Sequence, residues 1–149
     1  MPKAAIIFPD QLSFKPSPIN PQWIISGTPE ARCALLSTSA DGLATSIVWE
    51  CAPGSFNWHY DFDETVHFIE GSVTIRDALG QMKTLGAGDI VVFPAGSHAI
   101  WTVHSRVRKI AVCKRALPRQ LGSVIAMLRS AKHFIKGTKA SATGALAPI

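Results

Sequence analysis

The sequence predicts an all-β protein, a small antiparallel barrel or jelly roll, followed by one C-terminal helix. Three observations carry that prediction. Short β-rich runs recur through the middle of the chain, separated by turn residues such as Asp41-Gly42, Pro53-Gly54 and Gly80. Apolar and polar residues alternate within them: Val73 and Ile75 lie between Ser72, Thr74 and Arg76, and Ile47, Trp49 and Cys51 alternate in the same way. Two blocks join a strand to a glycine, Glu64 through Val66–Ile69 to Gly71, and Gly88 through Ile90–Phe93 to Pro94 and Gly96. Gly71 and Gly96 can take the positive φ of a tight turn, and Pro94 lacks an N–H that only a strand end or edge can spare. Many short strands with such punctuation close into a barrel or double sheet.

Residues 1–22 contain Pro2, Pro9, Pro16, Pro18 and Pro21, which preclude a helix and predict an extended arm lying across a sheet. Trp23-Ile24-Ile25 opens the barrel domain, 23–116, with a turn at Gly27-Thr28-Pro29. Strands are expected at 31–38, 43–51, 55–61, 64–70, 72–77, 81–85, 90–94, 98–104 and 106–114. No long internal repeat is visible, so the domain is a single barrel. From Leu117 the period changes. Leu121, Ile125, Leu128 and Ile135 fall at helical spacing with Arg129, Lys132 and Lys136 interleaved, after a Pro118 suited to a helix start. This predicts a basic amphipathic helix over 117–137, of about four turns, packing its apolar face on the barrel or on a partner subunit. The tail 138–149, of small residues, is expected to fray.

With 149 residues, 47% of them hydrophobic and 17% charged, the chain fits one globular domain and not a disordered one. No apolar run approaches the roughly 20 residues of a membrane span, and Ala4–Phe8 is too short for a signal-peptide core. Cys33, Cys51 and Cys113 are odd in number and lack metal-type spacing, so they read as small buried hydrophobes and the protein as cytoplasmic. Charge is divided sharply. Residues 1–89 carry ten acidic and five basic side chains, whereas 90–149 carry ten basic and no acidic ones. The basic end either folds over the acidic barrel or its partner, or meets nucleic acid or an anionic membrane. The exposed edges of a small barrel, together with the arm, lead to the expectation of a homodimer.

Glu64 is the residue to explain, because a carboxylate within a half-buried strand needs a partner or a pocket. On the strand before it, one register points Trp58 and Tyr60 inward and the other points Asn57 and His59 inward. A one-residue slip exchanges the two faces, and the residues leave the choice open. Lys109 shares a strand face with Val107, Ala111 and Cys113; turned inward it would pair with Glu64, and turned outward it would be a surface lysine. Trp58, Tyr60 and Trp101 are core rings or pocket walls. His67 lies on the face opposite Glu64.

The two glycine blocks resemble the paired signature motifs of the cupins. The run W-E-C-A-P-G-S-F-N-W-H-Y-D-F-D-E-T, with G-D-I-V-V-F-P-A-G, W-T-V and V-R-K, resembles the small single-domain cupins related to (S)-ureidoglycine aminohydrolase. The resemblance covers about Trp23 to Lys114. It implies a cupin double-stranded β-helix, and the aminohydrolase carries manganese on acid, imidazole and amide ligands. A metal-binding cupin has His-x-His and Glu on the first motif and His on the second. Here Glu64, Gly71, Gly88, Pro94 and Gly96 keep their places. The histidine slots hold Trp58 and Tyr60, or Asn57 and His59, and the last one holds Ala99, with His98 one residue early. No bound metal is therefore expected; were Mn, Fe, Ni or Zn present, His59, Glu64, Asn57 and His98 are the ligands to name.

The function implied is binding of a small polar metabolite in the barrel, with the reaction, if any, unspecified. Glu64 is the candidate acid–base residue with His59 or His98 as partner, and Trp58, Tyr60, Trp101 and Lys109 are the candidate binding residues. The alternative is a non-catalytic sensing or interaction module whose basic helix contacts a membrane surface or another macromolecule.

Overall fold

The alternation and glycine punctuation fold into a sheet organised by two long strands. The computed structural model describes residues 1–115, 117, 121 and 123–131. The strands are β1 Lys15–Pro16, β2 Ile24–Gly27, β3 Ala31–Thr38, β4 Ala44–Cys51, β5 Gly54–His59, β6 Phe62–Asp77, β7 Met82–Gly86, β8 Ile90–Phe93 and β9 His98–Arg115. β6 and β9 pair antiparallel from Phe62 opposite Arg115 to Asp77 opposite Ala99. Along its other edge β9 meets β5 with its first half and β4 with its second. β6 likewise takes β8 on its first half and β7 on its second. The sheet thereby curls into two halves, β1-β3-β4-β9-β6-β8 and β2-β5-β9-β6-β7, hinged on the shared strands.

Two predicted breaks are absent. Runs 64–70 and 72–77 form one strand, as do 98–104 and 106–114. Gly96 does sit in a turn, with φ +84°, but Gly71 lies within β6, with φ +89°. The reason is close approach. A Cβ at Gly71 would stand 2.2 Å from the carbonyl oxygen of Arg106 and 2.7 Å from the Cα of Val107. The missing side chain lets β6 bend against β9 where their register shifts between Phe68 and Val73.

Val66, Phe68, Val73, Ile75 and Trp101 point into the core, together with Trp49, Phe56 and Tyr60. Each such side chain contributes about 1.5–3 kcal/mol as an upper bound. The proline-rich arm is extended, broken by short 3-10 turns at Pro9–Gln11 and Pro21–Trp23. Asn20 starts the second turn by accepting the Gln22 N–H on its side-chain oxygen. Pro16 is tolerated because β1 is an edge strand. Ile19 of the arm is buried in the core cluster.

The chain divides after Ala116 into the barrel and a C-terminal unit. In the latter, 123–131 is helical, and Leu121, Val124, Ile125, Met127 and Leu128 are exposed. The predicted extension of the helix through Ile135 and Lys136, and the tail 138–149, lie outside the described residues. Among the described residues no helix is long and apolar enough to cross a membrane.

Candidate functional site

Alternation decides which side chains enter the barrel, and the pairing of β5 with β9 fixes the choice that the sequence leaves open. His59 stands opposite His98, and Trp58 opposite Ala99. Phe56 and Tyr60 are buried and Trp58 is half-buried against Trp23, Trp49 and Phe56. The inward set is therefore Phe56, Trp58 and Tyr60. His59 and His98 take the outer face, where their rings stack on each other at 5.8 Å. No register shift interrupts β5 and β9, so His98 is not rotated inward, and Ala99 fills the inward slot beside it. The partnership of His59 or His98 with Glu64 is thus corrected: strand alternation directs both imidazoles away from it. Asn57 shares their face, and His67 is exposed on the outside of β6.

Glu64 enters from β6 and Lys109 from β9. Cross-strand register sets Trp49, Lys109 and Phe68 in one row, and Cys113, Glu64 and Phe93 in another. Lys109 turns inward and donates from Nζ to Glu64 Oε1 at 2.6 Å. Both are buried, Lys109 to 4% and Glu64 to 7% exposure. The ammonium also lies 4.8 Å from the ring centroids of Trp49 and of Trp101, within cation–π range of both indoles. Its charge is met by one carboxylate and two aromatic faces in a shell otherwise apolar.

Tyr60 completes the polar group. Its ring stacks on Phe93 at 4.2 Å, and its hydroxyl accepts the indole N–H of Trp101 at 2.9 Å. Burial raises the phenol well above its ordinary pKa, and the charge of Glu64 raises it further. Tyr60 thus stays a neutral O–H donor at all physiological pH. Trp101 itself is buried, at 1% exposure, and props both Tyr60 and Lys109. Trp58, Cys33 and Cys113 are the half-buried members around this group. Burial pushes the Cys113 thiol up to about 11, helped by Glu64, and raises Cys33 against the opposing pull of Lys109. Both remain unionised thiols near neutral pH.

The sequence reading named Glu64, Lys109, Trp58 and Tyr60 and missed the contribution of Trp49. Its alternation with Ile47 and Cys51 set its face, but only the register opposite Lys109 gives it a role. Cupins often bind metals, and here the donors fit one poorly. The four slots hold Trp58, Tyr60, Glu64 and Ala99, and the only carboxylate among them is already bonded to an ammonium. Among the described residues no group of three or more His, Cys, Asp or Glu is placed to hold a metal ion.

A curled jelly roll that turns a motif carboxylate into an aromatic-lined barrel has the form of a cupin. The chain bears that class out: residues 38–111 match the family model of the EutQ-like cupin domain. Over that span the chain thus carries an EutQ-like cupin domain. A protein described as ethanolamine utilization protein Q, from Salmonella typhimurium LT2, has a TM-score of 0.52 at 25% identity, over 59% of this chain and 72% of that one. A protein of unknown function from the DUF861 family, from Pseudomonas syringae pv. tomato DC3000, gives 0.63 at 27% identity. That match covers 68% of this chain and 44% of the Pseudomonas one, so this chain spans under half of its relative's length. An RmlC-like cupin from Shewanella frigidimarina shares the fold, with a TM-score of 0.56 at 14% identity over 76% of this chain and 93% of that one. No curated protein matches the chain.

Proposed function

We propose that the barrel binds a small polar metabolite at the Glu64–Lys109–Tyr60 group, and does so without a metal. The observation that supports this is the buried ion pair. Replacing such a pair by apolar residues of similar volume is often neutral or stabilising, so stability alone gives little reason for one among indole rings. Lys109 supplies the positive charge that a divalent ion supplies in a metal-binding cupin. The polar valences left over define the ligand. Lys109 has two further N–H donors, Tyr60 has its O–H, and Glu64 Oε2 is an acceptor beyond the bonded Oε1. A neutral group with a carbonyl beside N–H, an amide or ureido group, matches that set. Its oxygen would accept from Lys109 and Tyr60 while its N–H donates to Glu64, with an apolar body against Trp58. A simple amine fits less well, because the charge of Glu64 is already balanced. This reading agrees with the resemblance to the ureidoglycine aminohydrolase cupins. If hydrolysis or elimination accompanies binding, Glu64 is the group that takes and returns the proton.

Calorimetry with methylurea, N-carbamoylglycine, ethanolamine and glucose tests the proposal; ethanolamine is included because of the name one relative bears. The ureido probes are expected to bind, and Glu64→Gln to weaken them at least about tenfold with the circular dichroism unchanged. Ureido binding indifferent to Glu64→Gln and Lys109→Met, or tighter binding of ethanolamine, overturns it. Elemental analysis finding one Mn, Fe, Ni or Zn per chain, lost in Glu64→Gln, overturns the metal-free part.

A second reading is favoured by the exposed Leu121, Val124, Ile125, Met127 and Leu128 of the C-terminal unit. With five basic and no acidic residues after position 116, that unit is an anionic-membrane or macromolecular contact module. Sedimentation with phosphatidylserine vesicles, lost on deleting 117–149 and weakened by salt, is its expected signature.

A further inference from the structure

We propose a second ligand site on the outside of the barrel, in the cleft between the N-terminal arm and β3, which takes a small organic carboxylate with an apolar body. The cleft holds about 650 Å³, within the range of small-molecule sites. Its polar wall is built on Glu50, which is 1% exposed on the outer face of β4. Arg32 donates from Nε to Glu50 Oε2 at 2.7 Å, and Arg108 donates from Nε to Oε1 at 2.6 Å. Both carboxylate oxygens are thus taken. Arg106 stands by in excess, with its Nη1 3.6 Å from Oε2, beyond hydrogen-bonding distance. Three guanidiniums surround one carboxylate. Lys15 and Glu30, also on the cleft wall, offset each other, and Glu70 lies opposite Arg108 in register without an ion pair to these arginines. The local balance is positive.

Arg32 and Arg108 are also held in place. The Phe14 ring of the arm lies 4.7 Å from the Arg32 guanidinium carbon and 5.7 Å from that of Arg108. Arg32 and Arg106 line the cleft and remain about half exposed, so the Nη atoms of Arg32 and the whole fork of Arg106 are available. A guanidinium fork matches a planar carboxylate bidentately. The rest of the lining includes Pro16, Pro18, Ile19, Ile24 and Pro29. Those prolines offer no backbone N–H to the many acceptor oxygens of a phosphate, but they suit an alkyl or aryl body. None of Glu64, Lys109 and Tyr60 lines the cleft, so this site stands or falls independently of the metabolite site.

The test is titration of full-length protein with hexanoate, 1-hexanol, inorganic phosphate and a capped tetraglutamate peptide, followed by arginine Nε NMR signals. Hexanoate is expected to bind and to shift Arg32 and Arg106. Arg106→Gln should weaken it at least about tenfold with the melting temperature unchanged, since Arg106 makes no hydrogen bond to Glu50. Arg106→Lys should restore only part of the affinity, and the charge-neutral double variant Lys109→Met with Glu64→Leu, which removes the inner pair without stranding either charge, should leave it intact. The proposal is overturned if hexanoate fails to bind, if 1-hexanol or phosphate binds as tightly, if only the peptide binds, or if Arg106→Gln has no effect.

Discussion

Glu64 and Glu50 are both strand carboxylates, exposed by 7% and 1%, one on the inner face of the barrel and one on the outer. Inside, Glu64 has a single ammonium partner, itself buried between two indoles. Outside, Glu50 has three guanidiniums that reach water, two of which, Arg32 and Arg108, lie under one phenyl ring from the arm. The inner pair is buried and matched in charge, so either partner left alone would be a buried, uncompensated ion. The outer cluster is redundant and solvated, so the loss of one arginine leaves others in place. Burial by itself therefore says little about what a charged group does; the number and exposure of its partners say more.

The largest expected effect lies inside. Lys109→Ala should cost about 3–5 kcal/mol in urea denaturation, by stranding Glu64. The double variant Lys109→Met with Glu64→Leu should recover most of that loss. A double variant no better than the single one would mean that packing, and not charge pairing, sets the inner cost. Outside, Arg32→Ala should cost only about 1–2 kcal/mol, because Arg108 still holds Glu50 and half of Arg32 is already in water. A loss as large as that of Lys109→Ala would erase the contrast between the faces.

Acid should separate the two regions further. Burial works to raise the pKa of Glu50, but hydrogen bonds from Arg108 and Arg32 outweigh it and hold the carboxyl below its ordinary range. A carboxylate with a lowered native pKa contributes stability that is complete above its unfolded value, about 4.3, and is lost as pH falls through the native one. Melting temperatures from pH 6 to pH 2 should fall below about pH 4, and Glu50→Gln should flatten that fall while lowering stability at neutral pH. The smallest effect concerns the thiols. Burial pushes Cys51 up to about 12 and Cys113 to about 11, so labelling by a thiol reagent at pH 8 should be slow in the folded protein. Rapid labelling of Cys113 would show the inner face opening to solvent more readily than its packing implies.

The strands were legible in the sequence because period-2 alternation and turn residues are local signals. Gly71 was legible as a special position but not as a bend, since its requirement comes from the Arg106 carbonyl 35 residues later in the chain. The inner face of 57–61 was undecidable locally: both registers alternate equally well, and the pairing of β5 with β9 decides between them. Lys109 had two equivalent orientations on its strand until β6 brought Glu64 within 2.6 Å. The outer arginine cluster had no local signal at all. Arg32, Glu50 and Arg108 meet only because β3, β4 and β9 lie side by side, and Phe14 joins them only because the arm folds back.

The all-β class, most of the strand segments, the extended arm and the candidacy of Glu64 were legible in the residues alone. Each of these follows from backbone preference and from the cost of burying an unpaired charge, which act over a few residues. The tertiary structure decided the partner of every charge and which face of each strand is the interior. Those depend on cross-strand neighbours, which are distant in sequence and are brought together only when the sheet curls around β6 and β9.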